Sequence, residues 1–486
     1  MWSTEEGGGA VGAVSTDQTI IDNNTNNDYV RIDMLCMDVP LSNGELANLQ
    51  SLDNAFDGGE PNLTANPLIR KVPSTLPRTE DFMQYFKPKV ISIGPIHHDD
   101  PALHESKKLK LKLAAQFVNN IRVDRESLYS NMKKEIDGLK KCYDPQELEK
   151  HSNDNEKVAW MFFVDGCAIL QAVYMRYSNS DDYHVYDPLY IKNDLLTFVY
   201  SDLFLLENQL PFRVLELLTS LRGGKKFMNA IKRFIDNPVT TPAEIKEPQD
   251  RFCSSGWWPQ QEGERIHLLH LLRVRLLFRK EKSWPHNRIF IYLINQSDHR
   301  RTKRSHLHPS RNVKELKNAW IWLKASKTRS LTDISFNRYF FVGILQLPPI
   351  TVDDSTMNLI AYEMCPDFYN NFTVTSYMGF LDSLIDEAED VKELRDAGIL
   401  FNRLGSDKEV AKLVKKMNMD LFPSPMIYKH VKLQMHNHRE KMWIKYPAQV
   451  YRTFFRTRWT FFAFVGAIAA LIIGALQVYY TIHQAK

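Results

Sequence analysis

Apolar positions along this chain gather into blocks whose spacing separates helices from strands. Residues 157–177 (KVAWMFFVDGCAILQAVYMRY) and 194–220 (DLLTFVYSDLFLLENQLPFRVLELLTS) are apolar on nearly every face. That pattern predicts helices at the centre of a large body. Pro211 should divide the second block, because proline removes a helical hydrogen bond and crowds the preceding turn. Helix starts are marked by Asp144–Pro145–Gln146–Glu147, an N-cap with Pro at N1 and Glu at N3, and by Ser406 with Glu409 ahead of EVAKLVKKM. Strand signals are fewer: Lys89–Ile93, Arg288–Leu293, and Phe340–Leu347 before Pro348–Pro349. The expected fold class is therefore mainly α (α+β), a large helical domain over residues 66–425 with a small β element. No repeat with a period of 20 to 50 residues interrupts it.

The longest apolar run lies elsewhere. From Phe461 to Leu476 every residue is apolar or Gly, and no charge occurs from Trp459 to Ile482. As a helix, residues 459–482 are about 36 Å long, enough to span a bilayer. Trp459 and Phe461 stand at one end and Tyr479 and Tyr480 at the other, where amphipathic rings prefer the interface. Arg452, Arg456 and Arg458 precede the span, which puts the large N-terminal part on the cytosolic side, with residues 483–486 across the membrane. Gly466, Ala470 and Gly474 recur every four residues, a small-residue stripe on which a second copy could pack.

Charge sharpens this picture. The 62 basic and 58 acidic residues leave only +4, too little for a protein that coats nucleic acid. Residues 1–60 hold eleven acids against Arg31 alone, so residues 1–65 read as a mobile acidic tail, with no positively charged start of the kind a secretory signal needs. Residues 428–458 hold eight Lys/Arg against Glu440, and with Trp443, Tyr446, Phe454 and Phe455 they make segment 426–458 a juxtamembrane stretch suited to an anionic leaflet. The stretch 299–311 (HRRTKRSHLHPSR) is basic too, but lacks aromatics for base stacking. RNA binding there ranks below a solvated loop. Five cysteines without paired spacing point to a reduced compartment.

Several segments resemble, in order, the plant family known as domain of unknown function 247. They are KVPSTLPRTEDFMQYFKPKVISIGPIHH (71–98), DGCAILQ (165–171), DLFLLENQLPF (202–212), HLLHLLR (267–273), LQLPPITVDDSTMNLIAYEMC (345–365), VTSYMGFLDSLI (374–385) and the Leu404–Asp407 turn. The resemblance spans roughly residues 66–482, and the SIGPxHH and LLENQLPF blocks are its most specific parts. Arg213, where the family usually has an aromatic, and Ala325–Ser326–Lys327, in place of a Gly-containing turn, depart from the pattern. The resemblance implies a plant membrane-associated protein without an established enzymatic activity, and for some grass members a part in self-incompatibility recognition.

Candidate chemistry is sparse. Asp165 on one apolar block, with Asp202 and Glu207 on the next, forms a buried polar cluster that could divide acid and base roles, because burial raises carboxylate pKa values. Asn208 and Gln209 beside them suggest instead that the acids accept backbone hydrogen bonds at a helix break. Sealed, hydrogen-bonded carboxylates would favour a scaffold; a solvent-open pocket would favour an enzyme. His97, His98, Asp99, Asp100 and His104 crowd one loop without a second ligand pair at metal spacing, and Cys167 stands among apolar neighbours without a paired His. GxSxG, Walker and HExxH motifs are absent from the sequence. The expectation is a single-pass, tail-anchored recognition or signalling protein that binds the bilayer and a protein partner, without a catalytic residue, metal or cofactor. A membrane-bound enzyme using Asp165, Asp202 and Glu207 is the alternative, and an RNA binder using 299–311 a further one.

Overall fold

The computed structural model describes residues 42–57, 66–76, 80–151, 154–178, 191–221, 223–239, 256–279, 312–368, 371–403, 405–418, 423–424, 426–440 and 458–484. The predicted strand 288–293, the basic stretch 299–311, and Arg452 and Arg456 lie outside these residues. Two units divide at Pro61. In the first, a helix runs from Asn43 to Asp57 where a mobile tail was expected. Its start explains the difference: Ser42 N donates to Glu45 Oε2 (2.7 Å) and Glu45 N to Ser42 Oγ (3.3 Å), a reciprocal cap that a count of acids does not reveal.

The second unit is built around one buried helix, α3 (Asn155–Tyr177). Asp154 caps it by accepting from Lys157 N, and from Val158 to Tyr174 only Trp160 escapes burial. Among the helices packed around it are α1 (His104–Ile121), α2 (Arg125–Lys134), α4 (Asn193–Asp202), α5 (Phe212–Thr219) and α6 (Lys225–Asp236). Close approach to α5 depends on Gly166, where a Cβ would stand 2.7 Å from Leu218 Cδ1 and 2.8 Å from Val214 Cγ1. Each large apolar side chain that α3 buries contributes about 1.5–3 kcal/mol relative to exposure. Helix α7 (Leu268–Leu277) then packs against α6 and links this bundle to the C-terminal half.

That half holds the small β element. Strands β1 (Ile321–Ala325), β2 (Ser335–Tyr339) and β3 (Val342–Leu347) form a sheet in the order β1-β3-β2, with β1 parallel and β2 antiparallel to β3. A separate parallel pair joins β4 (Ile350–Val352) to β5 (Leu400–Asn402). Helices α8 (Asp354–Glu363), α9 (Thr373–Asp382), α10 (Ala388–Asp396), α11 (Asp407–Asn418) and α12 (Lys429–Glu440) complete the body. Residues 429–440 were grouped with the juxtamembrane stretch by charge, yet α12 packs on β2 and buries Val431, Met435 and His438. Tyr428 also enters the core, its hydroxyl donating to Leu331 O at 2.9 Å.

Two expectations about local structure change. Lys89–Ile93 is not a strand; its amides bond to side chains instead of a neighbouring strand. The 194–220 block breaks at Asp202, nine residues before Pro211, and Pro211 is the N-cap of α5.

The last helix, α13 (Arg458–Gln484), is 27 residues long. From Val465 to Tyr479 its side chains are exposed, Leu471 at 75%, apart from half-buried Gly474. Helix α3 is also long and apolar, but the protein itself covers it.

Candidate functional site

The polar cluster predicted from Asp165, Asp202 and Glu207 is a buried knot at the end of α4. Leaving the helix at Asp202, the chain turns through residues 203–211 before α5, and this turn faces the loop Lys89–Pro95. Asp202 Oδ2 accepts from Val90 N (2.7 Å), Ile91 N (3.0 Å) and Lys89 N (3.1 Å). Burial pushes its carboxyl above the usual range, against the opposing pull of those three amides and of Lys89. Asn208 continues the clamp: Oδ1 accepts from Ile93 N at 2.6 Å, and Nδ2 donates to Ile91 O and Asp202 O, each at 3.0 Å. Gln209 turns the other way, donating to Leu203 O and Leu205 O and accepting from Leu269 N of α7.

Asp165 enters from α3. Its Oδ2 accepts from Gly94 N (2.9 Å), and Oδ1 lies 2.6 Å from Lys110 Nζ, an ion-pair contact off the hydrogen-bond direction. Lys110, on α1, also donates to Ser92 O at 2.8 Å. Gly94 has φ +71°, and a Cβ there would meet Gln209 O at 2.7 Å and Tyr143 Oη at 2.8 Å, so only glycine fits. Glu207 closes the knot: Oε1 accepts from Val72 N (2.9 Å), and Oε2 is hydrogen-bonded to His97 Nε2 (3.0 Å).

The Ser92–His98 and Leu205–Phe212 segments, which carry the most specific part of the resemblance, are thus two halves of one clamp. A family model described as a plant protein of unknown function, DUF247, matches residues 69–473. The chain belongs to this family. A UPF0481 protein of Arabidopsis thaliana is 27% identical over 413 residues, covering 81% of this chain and 82% of the relative. A second UPF0481 protein of the same plant is 24% identical over 173 residues, 35% of this chain and 32% of its own length. No solved structure matches.

In this DUF247 chain the three carboxylates converge on one clamp but not on a common open space. Glu207 Oε1 and Oε2, Asp165 Oδ2 and Asp202 Oδ2 are bonded to backbone amides or to His97, and all three residues are at most 5% exposed. None of them lines the groove of about 430 Å³ between Tyr129, Asp154, Glu156, Lys157 and Trp160, or that of about 290 Å³ between β2 and α12. The loop histidines separate as well. His97 bonds Glu207, burial lowers the pKa of His98, and Asp100 caps the turn after it by accepting from Ala102 N. Among the described residues no three His, Cys, Asp or Glu side chains gather as metal ligands. Cys167 is buried, and burial raises its thiol pKa well above the ordinary value.

A second polar centre had no reading from sequence. Arg273 on α7 donates from Nε to Glu363 Oε1 (2.9 Å) and from Nη2 to Asn371 O (3.0 Å). Glu363 also accepts from Val374 N, Thr375 N and Thr375 Oγ1, so it caps α9 from the end of α8. His270 beside them shares a hydrogen bond with Tyr362 Oη at 3.0 Å. Burial, with the nearby Arg273 charge adding, lowers its pKa to about 3. Arg275 pairs with Asp236 of α6. The available signal was the presence of two arginines within the apolar run HLLHLLRVRLL.

On α13, the proposed anchor residues are ordered along one helix. Gly466, Ala470 and Gly474 share a face, with open space where a Cβ would stand on either glycine, and Tyr479 is exposed. Trp459, Phe461, Tyr480 and Arg458 belong to the same helix.

Proposed function

We propose that this DUF247 protein is a membrane-anchored, non-enzymatic recognition or scaffold protein whose helical body meets a protein partner on the cytosolic side. The observation that carries the reading is the uncovered apolar run of α13. Exposed apolar side chains along four turns of helix are costly in water and favourable in a bilayer, whereas α3, also long and largely apolar, is covered by protein. Arg452, Arg456 and Arg458 ahead of the run support a cytosolic body.

The non-enzymatic part rests on the clamp. Its carboxylates are consumed by backbone donors, which supports a structural role over acid–base chemistry at Asp165, Asp202 and Glu207. Asp202→Asn in the full chain tests it, expressed in plant cells below its melting temperature. The scaffold reading expects the variant to keep both its cellular role and the partners that proximity labelling finds for wild type. A folded Asp202→Asn protein that labels the same partners but loses the cellular phenotype would favour the enzyme.

A further inference from the structure

Helix α12 covers one face of the three-stranded sheet, and a cluster of exposed aromatic side chains lies on the other face and at its tip. Trp320, Trp322, Tyr339 and Phe341 are about half exposed and Phe340 is 88% exposed. Register and alternation place Trp322, Tyr339, Val342 and Ile344 on the sheet's open face, opposite buried Leu345 and Phe336. The rings of Trp320 and Phe341 meet edge to face at 5.8 Å. These aromatics therefore form one patch at the tip of the β2–β3 hairpin.

Backbone geometry makes the patch harder to explain as chance exposure. Phe340 has φ +52° in the hairpin turn, and Trp320 has φ +57° just past the helix Val313–Asn318. Both positions favour glycine or asparagine, and a bulky side chain there is strained. Phe340 is 88% exposed and Trp320 about half, so this strain is held at a solvent-facing site.

We infer that this hairpin tip docks on the surface of a lipid bilayer, holding the body against the membrane that α13 enters. The inference rests on the proposed anchor. His438, near the end of α12, hydrogen-bonds Ala319 O at 3.2 Å and meets the Phe336 ring at 5.5 Å, so the end of α12 packs on the sheet's covered face, against Ala319, next in the chain to patch residue Trp320. From there to Arg458 is twenty residues, at most about 70 Å even if fully extended. An anchored protein thus keeps the tip at high effective concentration near lipid, where a few interfacial aromatics suffice. Charge agrees: Lys324 lies on the open face, Arg338 donates from Nε to Phe340 O at the tip, and none of the three strands carries an acid. Cations beside Trp, Tyr and Phe fit the headgroup region of an anionic leaflet.

The test uses the full chain reconstituted into phosphatidylserine-containing vesicles, with Phe340→Trp as a fluorescent reporter read by difference from wild type. Acyl-chain-brominated lipid should quench the reporter, and aqueous iodide should not. Tyr339→Trp, one residue earlier and without the positive φ, repeats the measurement if the first variant melts early. A reporter quenched by iodide and untouched by brominated lipid, in protein that resists carbonate, overturns the inference while sparing the anchor, and leaves the patch to a protein partner. Protein that carbonate strips from the vesicles overturns the anchor and this inference together.

Discussion

Replacing Asp202 by alanine removes the side-chain acceptor shared by three consecutive amides, those of Lys89, Val90 and Ile91. Ile91 is fully buried, Val90 partly, and Lys89 exposed, so water can satisfy one orphaned donor, a second in part, and the third not at all. At about 1–3 kcal/mol for each buried donor left unpaired, the loss comes to roughly 2–4 kcal/mol. Unfolding entropy scales with length, and for a body of this size that loss lowers the melting temperature by about 2–5 °C. Asp202→Asn should cost less. Its Oδ1 can take the place of the Oδ2 that accepts from all three amides, although its Nδ2 then replaces the Oδ1 that also accepts from Lys89 N at 3.0 Å. The assay is thermal unfolding of the detergent-solubilised full chain, followed by circular dichroism, for wild type, Asn and Ala. The order wild type, Asn, Ala is expected. An alanine variant that melts with the wild type, or an asparagine variant below alanine, would show that the clamp does not depend on this acceptor.

Three other outcomes follow from the same contacts. Gly94→Ala should destabilise by about 1–2 kcal/mol from its left-handed backbone alone, before the clash with Gln209 O, and should melt below Asp202→Asn. Arg273→Met leaves Glu363 buried without its cation and should cost about 3–5 kcal/mol in urea unfolding, with Arg273→Met/Glu363→Gln recovering part of that loss. His270 stays neutral in the fold until about pH 3, while in the unfolded chain it takes up a proton below about pH 6.5. The unfolded state then binds more protons, so stability falls as pH drops through that window, by at most about 1.4 kcal/mol per pH unit. The partly exposed edge of His270 trims the figure. Unfolding at pH 7.5 and 5.5 should show a smaller loss for His270→Gln than for wild type, and equal losses would contradict it.

What sequence revealed depended on how local each signal was. Helix α3 was legible because its burial is continuous, and the starts at Asp144 and Ser406 because caps involve residues two or three apart. Lys89–Ile93 looked like a strand because its apolar residues suit one, yet its partners are Asp202 and Asn208, more than a hundred residues away. Asn208 and Gln209 hinted at the clamp; Lys110 gave no such hint, since nothing near it in sequence says that it pairs with Asp165. The Arg273–Glu363 centre joins residues 90 apart, and no local pattern connects them. The parallel pairings of β1 with β3 and β4 with β5 are likewise long-range, and three-residue strands are too short to show alternation.

Carbonate extraction of membranes from plant cells, comparing the full chain with a deletion of residues 459–486, tests the central claim most directly. The account predicts that the full chain stays in the pellet and that the deletion moves the protein to the soluble fraction with its body folded. A full chain released by carbonate, or a deleted chain that still resists it, would contradict the anchor on which the proposed function stands.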